Sequence, residues 1–530
     1  MTSAKTAAKT TDGRDILIGI DAGTSVIKSV AFTLGGEQIA HASVPNRYTT
    51  RADGAAFQSP DDTWADCAQT LRDLAAKVPD LARRVAALAV TGQGDGTWLV
   101  GAGNRPVTDG WLWLDSRAAA TATRLREADT RARFESTGTG INACQMGAQL
   151  AHMDATSPEM LDRSEVAIHC KDWLYLNLTG VRASDPSEAN FTFGDYTTRR
   201  YSDAVIETLG LTHRRSLLPE IVDGAQQTHA LTAEAAAQTG LLAGTPVSLA
   251  YVDVICTAMG AGVYTGDGAT GCTIVGSTGV HMRAGLAGEV TLGADHSGYV
   301  MVMPVPDRVV HLQTNMSSTL NIDWLLNMGA DLIADMGGQV SHAEMVAKIE
   351  GWLAQTSPAS MVYHPYISEA GERGPFVNST ARAGFTGLGS QHRFPDLLRG
   401  VVEGLGYAAR DCYLAMGAIP SEIRLTGGAA RSKGLRAILA AALGASVRTA
   451  MREEAGAAGA AMTAAMAIGV YPDWDACIDD WVRPLLGPAE APDAALVQLY
   501  QQAFPAYQTI RDAAVPVWAS LAALQESKNA

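Results

Sequence analysis

The sequence predicts an α/β protein of two related lobes facing each other across a cleft. Three observations carry this reading. With 530 residues the chain is too long for one hydrophobic core and divides into about two to four domains. Short apolar strands alternate with helical stretches along most of its length. A strand, a turn of small hydroxyl-bearing residues and a second strand open the chain at residues 16–32 and return at residues 269–282, the mark of a duplicated unit.

In the first copy, β-rich runs at 16–20 and 26–32 flank Ala22, Gly23, Thr24 and Ser25, so a β-hairpin is expected. Gly23 lets the backbone come close to a ligand, N–H groups beside Thr24 and Ser25 can cradle an anion, and Lys28 adds a positive charge. Asp21 closes the first strand. A carboxylate beside such a turn suits a Mg²⁺-bound nucleotide, because the metal takes oxygen ligands and keeps several waters. On these residues alone a plain hairpin with a tight turn is an equal reading.

Composition narrows the ligands. A formal charge of −15 repels nucleic acid and anionic membrane surfaces, so a phosphate group has to be held by a local site. The seven cysteines are scattered, with no paired spacing to suggest a zinc site or a disulfide framework, which fits a reducing cytoplasm. Residues 1–14 are small and polar, a disordered leader and not a signal peptide. Residues 455–472 form the longest uncharged run, but they are mostly Ala and Gly, which predicts a tightly packed buried helix.

In chain order, a third strand at 38–44 completes a meander, and a helix capped by Asp61 or its neighbour follows. The strand at 85–90 empties into Thr91-Gly92-Gln93-Gly94-Asp95-Gly96-Thr97-Trp98, a plausible substrate wall, since ligands in open α/β sheets gather beyond the carboxyl ends of strands. Trp111 and Trp113 beside Asp115 and Arg117 suit a sugar-stacking face, although read alone they favour a core strand. A helix over 171–179 should stop at Gly180, and residues 184–190 read as a polar loop. Asp253 tops the strand at 245–251 with a helix starting directly after it, placed either to act on a ligand or to serve as an ordinary helix cap. The second hairpin turn is Gly276-Ser277-Thr278-Gly279, and Gly427-Gly428 before the helix at 435–443 suits a nucleotide.

Taken together, the two hairpins, the strand-end Asp253 and the Gly427-Gly428-Ala429 turn resemble the FGGY carbohydrate kinases over about residues 15–510. Trp113-Leu114-Asp115-Ser116-Arg117, Pro365-Tyr366, Gly371-Glu372-Arg373-Gly374-Pro375, Gly384-Phe385-Thr386-Gly387-Leu388, Val402-Glu403-Gly404 and the Gly-Ala run rooted on Glu454 add to the resemblance. It implies two ribonuclease-H-like, actin-like ATPase lobes: an N-terminal lobe over 15–255 on the substrate and phosphate side, a C-terminal lobe over 256–510 on the nucleotide side, and a helix or tail over 511–530. By the resemblance, Asp21 holds Mg²⁺ through water, and Gly23, Thr24, Ser25 and Lys28 meet the terminal phosphates of ATP, faced by Gly276, Ser277 and Thr278. Gly427, Gly428, Ala429 and Ser432 line adenine and ribose, and Asp253 is the general base.

There are departures. Family members often place glycines before the base, where this chain has Ala250-Tyr251-Val252, and Gly94-Asp95 stands where xylulokinases carry Met-His and glycerol kinases Arg-Glu. The stretches around Gln93, Asp115 and Lys171 are most similar to the branch acting on erythritol, which assigns Asp95, with Gln93, Trp98 and Asp253, to the substrate hydroxyls and erythritol 4-phosphate as the product. A xylulose-type pentulose or other polyol is the alternative acceptor, and an actin-like ATPase switch is the alternative of another class. The expected partner is a small polyol or sugar, without nucleic acid or membrane; a homodimer stays open.

Overall fold

The structure, a computed structural model, describes residues 13–266 and 270–529. Residues 1–12 of the expected leader, and Ala269 at the start of the second hairpin, lie outside the described residues.

The N-terminal sheet is built on β1 (Ile16–Ala22), β2 (Val26–Thr33) and β3 (Gln38–Pro45), the predicted antiparallel meander. Helix α1 (Pro60–Lys77) crosses one face; its N-cap is Ser59, whose hydroxyl accepts from Asp62 N–H, so the cap lies two residues before the expected Asp61. Strand β4 (Val85–Gly92) runs parallel to β1 and is buried along its whole length, and β5 (His229–Ala230) and β6 (Pro246–Leu249) complete the order β5-β6-β4-β1-β2-β3.

Two buried helices lie behind the β4 exit. Helix α2 (Cys170–Thr179) stops at Gly180, whose φ of 77° needs glycine, as predicted. Helix α3 (Pro186–Phe193) replaces the expected loop at 184–190. Asp185 accepts from the N–H groups of Ser187 and Glu188 and Pro186 takes the first helical position, a start signal that the polar composition conceals. Helix α4 (Asp253–Ala261) follows β6.

The C-terminal sheet repeats the plan. Strands β7 (Thr270–Val275), β8 (Gly279–Leu286), β9 (Tyr299–Val302) and β10 (Arg308–Asn315) are antiparallel neighbours, while β11 (Glu422–Thr426) and β12 (Ser446–Thr449) continue from β7 in parallel, giving β9-β10-β8-β7-β11-β12. In both lobes a hairpin occupies the centre and parallel strands extend on one side. Helices α5 (Phe394–Ala415) and α6 (Lys433–Leu443) cover this sheet, α7 (Ala455–Ala467) enters the joint, and α8 (Ala494–Asn529) runs unbroken through residue 510.

The lobes meet where α4 and α7 cross. An added Cβ on Gly19 of β1 would lie 1.8 Å from the Ala457 carbonyl oxygen, on Gly260 2.2 Å from that of Ala455, and on Gly459 2.0 Å from that of Cys256. Backbone therefore packs on backbone, and the Ala-Gly composition of 455–467 is the condition for that approach. The predicted buried helix is present, with every residue from Ala455 to Ala465 buried. Among the described residues no helix is long and apolar enough to cross a membrane.

Candidate active site

Three acids stand at separate element ends around the joint. Asp21 ends β1, Asp253 opens α4, and Glu454 precedes α7. Lys28, directly across the hairpin from Asp21, pairs with Glu454 at 2.8 Å. Burial pushes the Asp21 carboxyl up to about 6, with the Lys28 charge opposing and the Glu454 charge adding to the rise. Burial and then the negative charge of Asp21 push Asp253 up to about 7. Two interacting carboxyls held this high are poised to bind a cation or accept a proton near neutrality.

The hairpin turn is held by a chain of side-chain hydrogen bonds. Trp113 Nε1 donates to Thr24 Oγ1 at 2.8 Å, Thr24 Oγ1 donates to Gln93 Oε1 at 2.9 Å, and Gln93 Nε2 donates to Gln58 Oε1 at 2.7 Å. Gln58 closes the loop on the Thr24 carbonyl and Asn46 on that of Gly23. Trp113 is 39% exposed and faces the cleft, so the tryptophan pair divides between two roles, with Trp111 in the core.

A cavity of about 250 Å³ opens beside this network, lined by Thr24, Gln93, Asp95, Trp113 and Asp253 from the N-terminal lobe and by Tyr299 and Arg373 from the other. The β4 exit shapes it through its glycines. A Cβ on Gly94 would stand 2.5 Å from Val252 Cγ2, and one on Gly96, at φ 79°, would stand 2.3 Å from the Trp111 carbonyl oxygen. Asp95 between them sits at φ 57°, a left-handed conformation that aspartate tolerates. Its Oδ2 accepts from Cys144 Sγ at 3.2 Å, while its buried Oδ1 has no partner among the described residues. Burial raises the Asp95 pKa, opposed by the Cys144 thiol and the His169 and Arg373 charges.

Behind this loop lies a buried ionic cluster. Lys171 pairs with Asp172 at 2.5 Å and Asp185 at 2.7 Å, all three fully buried, and His169 Nε2 lies 3.3 Å from Glu188. One buried ammonium serves two buried carboxylates, so removing Lys171 would strand both.

A second cavity of about 680 Å³ lies at the end of β11, lined by Thr426, Gly427, Gly428, Arg431, Arg436 and Met451 among others. Gly427 holds φ 95° against the Val275 backbone, and Gly428 has nothing within 4 Å of where a Cβ would be. The expected residues divide here. Gly427 and Gly428 face the cavity, whereas Ala429 packs toward the C-terminal core and Ser432 caps α6 and donates to Glu350 at 2.6 Å. Gly276, Ser277 and Thr278 form the turn between β7 and β8, but they line neither cavity.

Trp98 requires a correction. Its side chain is 1% exposed, packs against Gly110 and belongs to the N-terminal core, so it does not reach the cavity. The short strand that carries it, Trp98–Val100, is buried at every position. Cys144, Tyr299 and Arg373 complete the cavity wall, and of the three only Arg373 stands in a motif visible in the sequence, Gly371-Glu372-Arg373-Gly374-Pro375.

Comparisons with known proteins bear on the family and the fold. The N-terminal domain of the FGGY family of carbohydrate kinases matches residues 16–260 and the C-terminal domain residues 268–468. The chain is 61% identical over 509 residues to the erythritol kinase of Brucella abortus (strain 2308), covering 96% of this chain and 98% of that protein. It is 28% identical to the xylulose kinase of Escherichia coli (strain K12) over 80% of this chain and 84% of the other. The fold superposes on the crystal structure of xylulose kinase from Rhodospirillum rubrum with a TM-score of 0.84 at 24% identity, covering 95% and 100% of the two chains.

Proposed function

The chain belongs to the FGGY family of carbohydrate kinases, and on that basis we propose that it transfers the terminal phosphoryl group of ATP to a terminal hydroxyl of erythritol, giving erythritol 4-phosphate. The carrying observation is the single cavity of about 250 Å³ into which Asp95 and Asp253 both open, beside the Asp21 hairpin. The acceptor is taken from the 61% identity to an erythritol kinase across nearly the whole of both chains. A pentulose is the second reading, supported by the 28% identity to a xylulose kinase.

The donor set fits Mg²⁺–ATP. Among the described residues no three His, Cys, Asp or Glu side chains converge on one point, so a metal here would rest on one carboxylate, water and phosphate oxygens, the habit of Mg²⁺. Asp21 would hold it through water. Gly23, Thr24, Ser25 and Lys28 would meet the terminal phosphates, with Gly276, Ser277 and Thr278 opposite, and Gly427 and Gly428 would admit the adenine and ribose. Bound, Mg²⁺–ATP supplies the phosphoryl group and neutralises its developing charge.

The remaining work belongs to the chain. Asp253 accepts the proton of the attacking hydroxyl, and its elevated pKa suits a base operating near neutral pH. Asp95 Oδ1 accepts from a polyol hydroxyl. The Trp113, Thr24 and Gln93 chain fixes the turn against the cavity, so the acceptor and phosphate positions are set by one rigid network. The test is Asp253→Asn: ATP and erythritol binding should persist while turnover falls ~10²–10⁴-fold, the scale of general-base removal. Near-normal turnover in a variant that binds both would refute the assignment.

A further inference from the structure

We infer that Arg373 is the substrate-specifying residue of the C-terminal lobe, donating hydrogen bonds across the cleft to a polyol hydroxyl engaged on its other side by Asp95. This rests on the polyol-kinase reading and names a contact that the reading leaves unassigned.

Among the described residues Arg373 is the only cationic side chain lining the acceptor cavity. The other side-chain N–H groups there are committed, Trp113 to Thr24 and the Gln93 amide to Gln58. Within the described residues Arg373 engages only its Nε, which donates to Thr314 Oγ1 at 2.9 Å and leaves its terminal nitrogens for the cleft. The planar guanidinium is thereby aimed by its own stem.

The backbone beneath it is held as firmly. Glu372 Oε1 accepts from the N–H groups of Met316 and Arg373, at 2.9 and 2.8 Å, and Asn315 Nδ2 donates to the Gly374 carbonyl at 2.8 Å. Gly374 itself approaches the Thr314 carbonyl so closely that a Cβ would stand 2.6 Å away. Such support describes a presented side chain, not a surface arginine.

Across the cavity stands the buried, unpartnered Oδ1 of Asp95. The Arg373 charge acts on Asp95, on the Cys144 thiol and on Tyr299, yet Arg373 and Asp95 form no ion pair. An acceptor and a forked donor thus face each other from different lobes with a small cavity between them. A hydroxyl satisfies both because it donates to the carboxylate and accepts from the guanidinium at once. A third cavity, of about 280 Å³, is also lined by Tyr299 and Arg373, so Arg373 borders both it and the acceptor site.

The experiment compares wild type, Arg373→Lys and Arg373→Met on erythritol and on its monodeoxy analogues, with KM for ATP and thermal melting measured in parallel. For Arg373→Met, KM for erythritol should rise about 10- to 100-fold, the cost of losing a hydrogen bond to a charged group, with KM for ATP within about threefold. The analogue lacking the contacted hydroxyl should lose a similar factor with wild type and little more with the variant; Lys should recover part of the loss. An unchanged KM for erythritol in Arg373→Met, or an equal penalty on every analogue, would overturn the inference while leaving the kinase reading intact. If wild type phosphorylates no tetritol, the underlying reading fails and the inference with it.

Discussion

Gly456→Ala is the sharpest probe of the joint. Gly456 lies in α7, where an added Cβ would stand 2.3 Å from Asp21 Oδ2, 3.1 Å from its Cγ and 3.3 Å from Thr257 Oγ1. To restore ordinary contact, near 3.5 Å, the carboxylate oxygen has to retreat by about 1 Å. The Asp21 backbone cannot follow, since β1 is paired with β2 through Lys28 and with β4 through Thr91. The movement falls on side-chain torsions, at about 0.5–1.5 kcal/mol, against which alanine gains about 0.5–1 kcal/mol over glycine within a helix. Stability should therefore change by less than about 1 kcal/mol. Function should not be spared: a misplacement of about 1 Å in a positioning group costs on the order of 10²-fold in rate. Coupled ADP-release assays at saturating Mg²⁺–ATP and erythritol, with melting curves beside them, separate the two. Gly459→Ala is the contrast, because its Cβ meets the Cys256 backbone at 2.0 Å and the cost is overpacking, about 1–3 kcal/mol of stability. A Gly456→Ala enzyme with wild-type kcat would refute the claim that α7 sets the position of the Asp21 carboxylate.

Other consequences can be measured directly. The Asp253 carboxyl is raised from 3.8 to about 7 by burial and Asp21, so its neutral form is the one the fold favours; that contribution is complete below about pH 4 and is lost as pH rises through 7. In ligand-free protein the Tm advantage of Asp253→Asn over wild type should therefore grow from pH 5 to pH 8, with a ceiling of about 4 kcal/mol; a pH-independent difference would contradict it. Trp113→Phe removes the donor to Thr24 and should lower kcat about tenfold with little change in Tm, since Trp113 is half exposed and its hydrogen bond contributes about 1 kcal/mol. Asp95→Asn should raise KM for erythritol at least tenfold and leave KM for ATP within about threefold. Lys171→Met should lower stability by about 3–5 kcal/mol by stranding Asp172 and Asp185 in the interior, which chemical denaturation reads.

Much of the framework was legible because it is local. The hairpins at Asp21 and Gly276 announce themselves by apolar runs around small turns, the stop at Gly180 by one glycine, and the 455–467 helix by its Ala-Gly composition. Legibility fails where burial on all sides erases periodicity. Helix α3 carries Ser187, Glu188 and Asn190 into the interior, so no amphipathic stripe marks it and the segment reads as a loop; the Asp185-Pro186 start was the signal available. Trp98, expected at the substrate, lies in the core, while Trp113, open to either a sugar-stacking face or a core strand, is exposed at the cleft. Arg373 is harder still. Its motif is visible, but its reach into the acceptor cavity depends on the pairing of β10 and on the clamp of Glu372, contacts between segments more than fifty residues apart.

The central claim is that a small polyol is the phosphoryl acceptor at the Asp95 and Asp253 cavity. Steady-state ADP formation over a panel of tetritols, pentitols and ketopentoses tests it most directly. The account predicts kcat/KM for erythritol at least tenfold above any pentulose, with ATP turnover close to background when no acceptor is present. A pentulose preferred over erythritol, or ATP hydrolysis indifferent to every polyol and sugar, would contradict it.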